Sequence, residues 1–400
     1  MARSPYAHRR RRKLLEVPDM TNETPPLAVD GGSPLWQRPF PEAPVVAPAI
    51  SKAPARALEA ALAEQLGVGA AGVIAFGSHQ AAYDAAFAVA GVTGGEVIVP
   101  ALLGQPLADA ASRAGARAVP GEVETDTGAL SARGVARAVS PMAGTTSAVA
   151  VAHAFGHPAA MNEILAITQQ RGLAVIEDCS DALGAAYRQT TVGRFGVASV
   201  FALGAGHVLS PAGAALLVVP NPAHEDRAER ARSMSGVGLD DVRASVALAE
   251  LRGLAEALEV RRQLAWELTF NVRLMRGLVG MPHSRWIHHA YDRYVIRLRA
   301  LLWKRSIEDT VAAIRAEGVP CEVTCAPSLH LDPGVRAALS ALARATGMPG
   351  GEDNRIDDTH FASAGRLSRE LIAIPLHANL TSKDMGDVVQ VLRKVERWST

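Results

Sequence analysis

The sequence predicts an α/β protein: a large, doubly wound, mainly parallel sheet domain followed by a smaller α+β domain. Three observations carry that expectation. From about residue 53, short apolar runs alternate with helical segments, the pattern of repeated strand–helix units. The runs, such as Val73–Phe76 and Val97–Val99, are apolar throughout rather than alternating. Strands of that kind belong to a parallel sheet covered on both faces. The chain also has 400 residues, 48% of them hydrophobic, enough for a large core and two domains.

The elements follow in order. Pro54–Gln65 reads as a helix with its proline in the first turn, where the missing N–H costs nothing. Gly72–Phe76 is a strand, and Gly77–Gln80 is a turn that opens a helix over Ala81–Val89. Glu96–Val99 is a strand ended by Pro100, Pro106–Ala114 is a helix, and Ala116–Val119 and Ser147–Ala152 are strands. Met161–Gln170 is a helix closed by Gly172. Leu173–Ile176 is a strand that runs into Glu177-Asp178. After residue 245 the texture changes: a long amphipathic helix Ser245–Gln263, a strand Tyr294–Leu298, a helix Val311–Glu317, an extended stretch Gly318–Thr324, a short strand Ile372–Pro375 and a last helix Ser382–Val395. Gly347–Asp358, polar and rich in glycine, reads as a mobile loop. The expected division is a disordered basic tail over 1–26, a large domain over 27–245 and a smaller one over 246–400. The tail carries Arg9–Lys13 with no apolar run behind it, so it is no secretory signal, and Met20 opens a more ordinary beginning.

Composition excludes several function classes. A net charge of +1 with 20% charged residues speaks against a nucleic-acid partner, which needs a basic face. No apolar run reaches the length of a membrane span. Three cysteines, Cys179, Cys321 and Cys325, form no disulfide framework and suggest a reducing, cytoplasmic setting. Cys321 and Cys325 lack a second ligand pair, so no metal is expected. The 41 basic residues include only five lysines: Lys13, Lys52, Lys304, Lys383 and Lys394. None falls between positions 52 and 304. Codon bias accounts for the ratio, but the gap excludes any chemistry that needs a Schiff-base lysine in the middle of the chain.

In open α/β sheets ligands bind beyond the carboxyl ends of the strands. Three segments place polar groups there. Gly77-Ser78-His79-Gln80 presents amides at a helix start, where the dipole favours an anion; an ordinary tight turn is the plain reading. Glu177-Asp178-Cys179-Ser180-Asp181 puts acids directly after an apolar strand, costly unless paired or used. His153 also follows a strand, and by itself is more often a satisfied structural histidine. His288-His289 reads as a surface or interface patch, and Arg261-Arg262 as a solvated or partner-facing pair.

Together, Leu27–Gly32, Gly94–Pro100, His153–Gly156, Val175–Ser180, Leu183–Tyr187, Val192–Gly196 and Ile374–His377 resemble the DegT/StrS family. These are pyridoxal-phosphate (PLP) aminotransferases of fold type I that act on keto-sugars and ketocyclitols. The opening segment and Gly318–Cys321 are most similar to the branch with scyllo-inosose aminotransferase and 3-amino-5-hydroxybenzoate synthase. The resemblance implies that Asp178 bonds the pyridine nitrogen of the cofactor and that Gly77, Ser78 and His79 form the turn that takes its phosphate. It also identifies departures. His207 stands where the family has its lysine, Ala202 where it has a phosphate-binding serine, and Gly104 where an aromatic stacks on the ring. Asp181 replaces a glutamine, Gly236–Asp240 replaces a partner-donated Asn-x-Arg segment, and Cys325 replaces a tyrosine. Ala202 forgoes a charge-assisted bond worth roughly 1.5–3 kcal/mol, and Gly104 a stacking face worth roughly 0.5–1.5 kcal/mol.

Three functional readings follow, all in aminocyclitol, aminosugar or antibiotic biosynthesis. In the first, a repurposed enzyme uses His207, Asp178, Asp181 and His153 for acid–base work on a small polar metabolite. In the second, PLP or pyridoxamine phosphate (PMP) is held noncovalently by a dehydratase-like variant, with His207 as base because its ordinary pKa lies near neutrality. In the third, the chain is a noncatalytic subunit. Fold type I sites form across a dimer interface, so a homodimer, or a heterodimer with an active paralogue, is the expected assembly.

Overall fold

The computed structural model describes residues 25–46, 53–142, 144–204, 207–324, 327–345 and 353–400. In the first half the order is α1 (Pro54–Leu66), β1 (Val73–Phe76), α2 (His79–Val89), β2 (Glu96–Pro100), α3 (Gln105–Arg113), β3 (Arg117–Gly121), α4 (Ala132–Ala138), β4 (Thr146–Ala152), α5 (Met161–Arg171), β5 (Ala174–Asp178), β6 (Ala186–Tyr187), β7 (Thr190–Thr191), β8 (Ala198–Ala202) and β9 (Ala215–Val218). There follow α6 (Glu225–Ser235), α7 (Asp241–Arg252), α8 (Leu254–Val272), β10 (Leu278–Gly280), β11 (Ile287–His288), β12 (Arg293–Leu298), α9 (Ile307–Ala316), β13 (Glu322–Val323), α10 (Pro333–Ala345), α11 (Ala362–Leu367), β14 (Leu371–Pro375) and α12 (Ser382–Ser399).

The main sheet has seven strands in the order β1-β9-β8-β5-β4-β2-β3. The five from β8 to β3 are parallel; β9 and β1 close the other edge antiparallel. Both faces are covered, which explains the unbroken apolar runs: Val97 and Val99 enter one core cluster, while Ile98 between them enters another. A second sheet, β10-β12-β14-β13, is antiparallel and shares a core with apolar residues of α8, α9 and α12. Leu27 and Trp36 are buried in that second core. Their segment is stitched down by Glu317, which accepts from the amides of Ala28 and Leu35 and pairs with the fully buried Lys394. Among the described residues no helix is long and apolar enough to cross a membrane.

Several expectations are corrected. The helix expected over Ser245–Gln263 is two helices, α7 and α8, broken at Gly253, where ψ is 0°; glycine is the poorest helix former after proline. Arg261 and Arg262 are not solvated. Arg261 Nη1 donates to the carbonyls of Tyr291 and Asp292, and Arg262 to those of His289 and Gly184. His289 is buried and stacked on Tyr291, with ring centroids 3.8 Å apart. Only Glu322–Val323 of the stretch 318–324 pairs as strand. Residues 1–24 and 346–352 lie outside the described residues. In the rest of the expected loop Arg355 is buried and bonds Glu96 and Asp353, while Asp357 and Asp358 are exposed.

Candidate active site

The carboxyl ends of β4, β5 and β8 open on a cavity of about 590 Å³, within the usual range of small-molecule sites. His153 follows β4, Asp178 ends β5, Asp181 lies in the turn beyond it, and Ala202 ends β8; His207 stands in the next turn, and all five line the cavity. Gly156, at φ 90°, lets the turn after β4 pack against this floor: a Cβ there would lie 2.9 Å from the Tyr291 amide nitrogen and 3.0 Å from the Asp181 carbonyl oxygen.

Glu177 and Asp178 point to opposite faces of β5 and meet opposite fates. Glu177 is fully buried and accepts from the amides of Gly193, Phe195 and Gly196 and from His153 Nε2 at 3.0 Å. Asp178 faces the cavity. Its Oδ1 accepts from the amide and hydroxyl of Ser180, whose oxygen lies 3.2 Å from the Tyr83 hydroxyl. Burial pushes the Asp178 carboxyl up, against the opposing pull of the Ser180 bonds. It has no cationic partner among the described residues.

His207 sits in a four-charge cluster. Its Nδ1 lies 3.4 Å from Asp181 Oδ1 and 3.7 Å from Asp292 Oδ2, close enough for ion pairing but without hydrogen-bond alignment. Arg293 Nη2 bridges the same carboxylates at 3.2 and 2.9 Å. Burial opposes the imidazolium, but the two acids outweigh it and push the His207 pKa up to about 10. Burial likewise raises the Asp181 carboxyl, and His207 and Arg293 together hold it below its ordinary value. Both carboxylates favour the protonated ring, which fits a proton donor rather than the base expected of it. His207 Nδ1, Asp292 Oδ1 and Arg293 Nε are buried without hydrogen-bond partners.

His153 is also reassigned. Ala159 N–H donates to its Nδ1, its Nε2 donates to Glu177, and its side chain is fully buried. Both ring nitrogens are consumed by the fold, so it does not fit the catalytic role expected of it. Gly77 and Ser78 stand at the α2 N-terminus, outside the cavity lining, while His79 and Gln80 line it. The Gly77 amide bonds the Val237 carbonyl, and Ser78 caps α2 by accepting from the Ala81 amide. His79 Nε2 lies 2.6 Å from the Leu203 carbonyl. Gly104 caps α3, and a Cβ there would lie 2.0 Å from the Pro100 carbonyl oxygen, so no aromatic fits on this backbone. Leu103 lines the wall instead, at φ 62°. In place of the expected Asn-x-Arg segment, Gly238 pairs with Phe76 and Asp240 caps α7. Cys325 lies outside the described residues.

Sequence reasoning missed Asp292, Arg293, Ser180 and Tyr83. The first two had a faint signal, adjacent charges opening the strand at Tyr294. Nothing local linked them to Asp181, 112 residues from Arg293.

Comparisons with known proteins agree with this architecture. The UDP-N-acetyl-3-dehydro-alpha-D-glucosamine 3-aminotransferase of Acidithiobacillus ferrooxidans is 29% identical over 354 residues, covering 85% of this chain and 88% of that protein. The L-glutamine:2-deoxy-scyllo-inosose aminotransferase of Micromonospora echinospora is 32% identical over 231 residues, 52% of this chain and 53% of that one. Among solved structures, 3-amino-5-hydroxybenzoic acid synthase superposes with a TM-score of 0.71 at 19% identity, covering 90% of this chain and 100% of that chain. The fold is thus that of the type I PLP transferases. With residues 51–393 matching its sequence pattern, the chain belongs to the DegT/DnrJ/EryC1/StrS aminotransferase family.

Proposed function

We propose that this family member does not transaminate and that its cavity performs acid–base chemistry on a small polar metabolite. The carrying observation is the cation His207, held by Asp181 and Asp292 at the position where the family resemblance places the reactive lysine. A protonated imidazole forms no covalent link to a carbonyl, and no lysine lines the cavity. The ring can do two other things. With Nδ1 turned toward the two carboxylates, Nε2–H would donate to a substrate oxygen, and the positive charge would stabilise an oxyanion. Asp178, raised by burial and facing the same space, accepts a proton from the other side. Asp292 and Arg293 are positioning residues that fix the charge and orientation of His207.

A second reading has its own observation. Asp178 is buried, oriented by Ser180 and without a cation, the environment that a protonated pyridine nitrogen satisfies. The fit to PLP or PMP is partial. The acid for the ring nitrogen is present, but Ala202 has no hydroxyl, Gly104 leaves no room for a stacking ring, and the covalent anchor is gone.

One set of measurements separates these readings. Purified protein mixed with PLP or PMP should show neither a visible absorbance change nor binding near millimolar concentration, a Kd of about 1 mM corresponding to only about −4 kcal/mol. Micromolar binding would establish the second reading. Incubation with PLP and an amino donor should release no keto acid; sustained release would overturn the first. Once a turned-over keto-sugar or cyclitol is found, His207→Asn should cost about 10²–10⁴-fold in kcat when assayed below its own Tm, and an unchanged kcat would refute the role.

A further inference from the structure

A separate cavity of about 300 Å³ lies toward the other end of β12. Arg293 belongs to the charge cluster of the first site. Arg297 is four residues along the same strand, about 13 Å away at the rise of an extended chain, and lines the second cavity. With it stand Arg273, at the end of α8, and Arg299, just beyond β12. Arg297 is partly neutralised: Nη1 donates to the Thr125 carbonyl at 2.9 Å and lies 3.7 Å from Asp126 Oδ1, and Nε lies 3.9 Å from Glu370 Oε2. Arg273 and Arg299 are exposed and have no acidic partner among the described residues. The lining thus sets three guanidinium groups against one carboxylate, Asp126, whose side chain is 71% exposed. The chain as a whole carries a net charge of only +1, so general basicity does not explain the concentration. Like charges around one hollow repel until an anion sits among them, and the guanidinium fork matches phosphate oxygens two at a time. Apart from Thr127, the remaining wall is apolar or glycine, with Met281 and Leu367 lining the same space.

We propose that this cavity binds a small organic phosphate, its phosphoryl oxygens on Arg273, Arg297 and Arg299 and its carbon body against Met281 and Leu367. The site is distinct from the His207 cavity, with which it shares no lining residue.

Calorimetric titration of the full chain with inorganic phosphate and with phenyl phosphate tests this. Phenyl phosphate should bind at a single saturable site, about threefold or more tighter than inorganic phosphate, because only it covers the apolar wall. The Arg273→Ala, Arg299→Ala double variant should lose about tenfold or more of that affinity. Both positions are exposed, so an unchanged Tm will show that the fold is intact. Arg113→Ala, on the rim of the first cavity, should leave binding unchanged. Absence of saturation at about 10 mM phenyl phosphate, equal affinity for the two probes, or a loss that follows Arg113 rather than the arginine pair would overturn the proposal.

Discussion

Two histidines, His153 buried and His207 half-buried, meet carboxylates at the carboxyl ends of the same sheet, and they differ in what is left over. Around His153 and Glu177 every polar atom is used: three backbone amides and a ring N–H fill the carboxylate, and a fourth amide fills the ring. Around His207, Asp181 and Asp292 the charges balance with Arg293, but Nδ1, Oδ1 of Asp292 and Nε of Arg293 keep no hydrogen-bond partner. Buried polar groups are nearly always satisfied in a structural role. A closed network holds loops in place; an open one in a cavity can still engage a ligand. The difference separates a histidine of the fold from a histidine of the site, although both follow strands and both looked like candidates.

The largest expected effect breaks the closed network. Glu177→Gln replaces an acceptor oxygen by an NH₂ that must face N–H donors from the Gly193–Gly196 turn or from His153. Leaving buried donors opposed costs about 3–5 kcal/mol, measured by denaturant unfolding. Asp292→Asn disturbs a network that is already open and should cost less, about 1–3 kcal/mol. Equal losses would mean that the two clusters are built alike and that openness is not what distinguishes the site.

Next in size is the alkaline limb of stability. His207 has a folded pKa of about 10 against an ordinary value near 6.5. The folded state therefore holds a proton that the unfolded chain releases. Its stabilisation is complete below about pH 6.5 and is lost progressively as pH rises toward 10. Wild-type Tm should fall across that range, and His207→Asn should flatten the fall. A Tm profile unaltered by the substitution would show that the ring is not held as a cation, and the proposed proton donor would go with it.

Much of this was legible in sequence, for stated reasons. Strands β1 to β5 were legible within one or two residues because each is an unbroken apolar run. β8 and β9, though equally buried, lie in alanine- and glycine-rich sequence that weakens the contrast. α6 has almost no apolar stripe to find, its sequence being EDRAERARSMS. In the site, Asp178, Asp181 and His207 were visible because strand ends and motif order point to them. The charge environment of His207 was not, because it also depends on Asp292, which lies just before β12 and far from His207 along the chain. Likewise no local pattern could reveal that Glu177 would gather the amides of the loop after β7 and consume His153.

A smaller effect marks the acid limb. His157 is buried, and burial lowers its pKa to about 4, against a raising bond to the Pro158 carbonyl. The sign is opposite to that of His207. Between about pH 6.5 and 4 the unfolded chain binds a proton that the folded one refuses, so stability falls as pH drops through that window. His157→Asn keeps a donor toward Pro158 without the titration, and should make the acid decline shallower while leaving the alkaline limb untouched. If the alkaline limb moved as well, the two histidine sets would be coupled.

The smallest effect is expected where a charge pair is neither closed nor buried. Arg113 Nε meets Asp84 Oδ1 at 2.7 Å on the rim of the cavity, with side chains 35% and 39% exposed. Such pairs contribute about 0.2–1 kcal/mol and less in salt, because water competes for both partners and two long side chains must be held still. Arg113→Gln should therefore shift the unfolding midpoint barely, and the shift should vanish at high ionic strength. A salt-independent loss comparable to that of Glu177→Gln would mean that short distance alone, rather than exclusion of water, sets the strength of charge contacts around this cavity. The contrast between its closed floor and its open cluster would then need another cause.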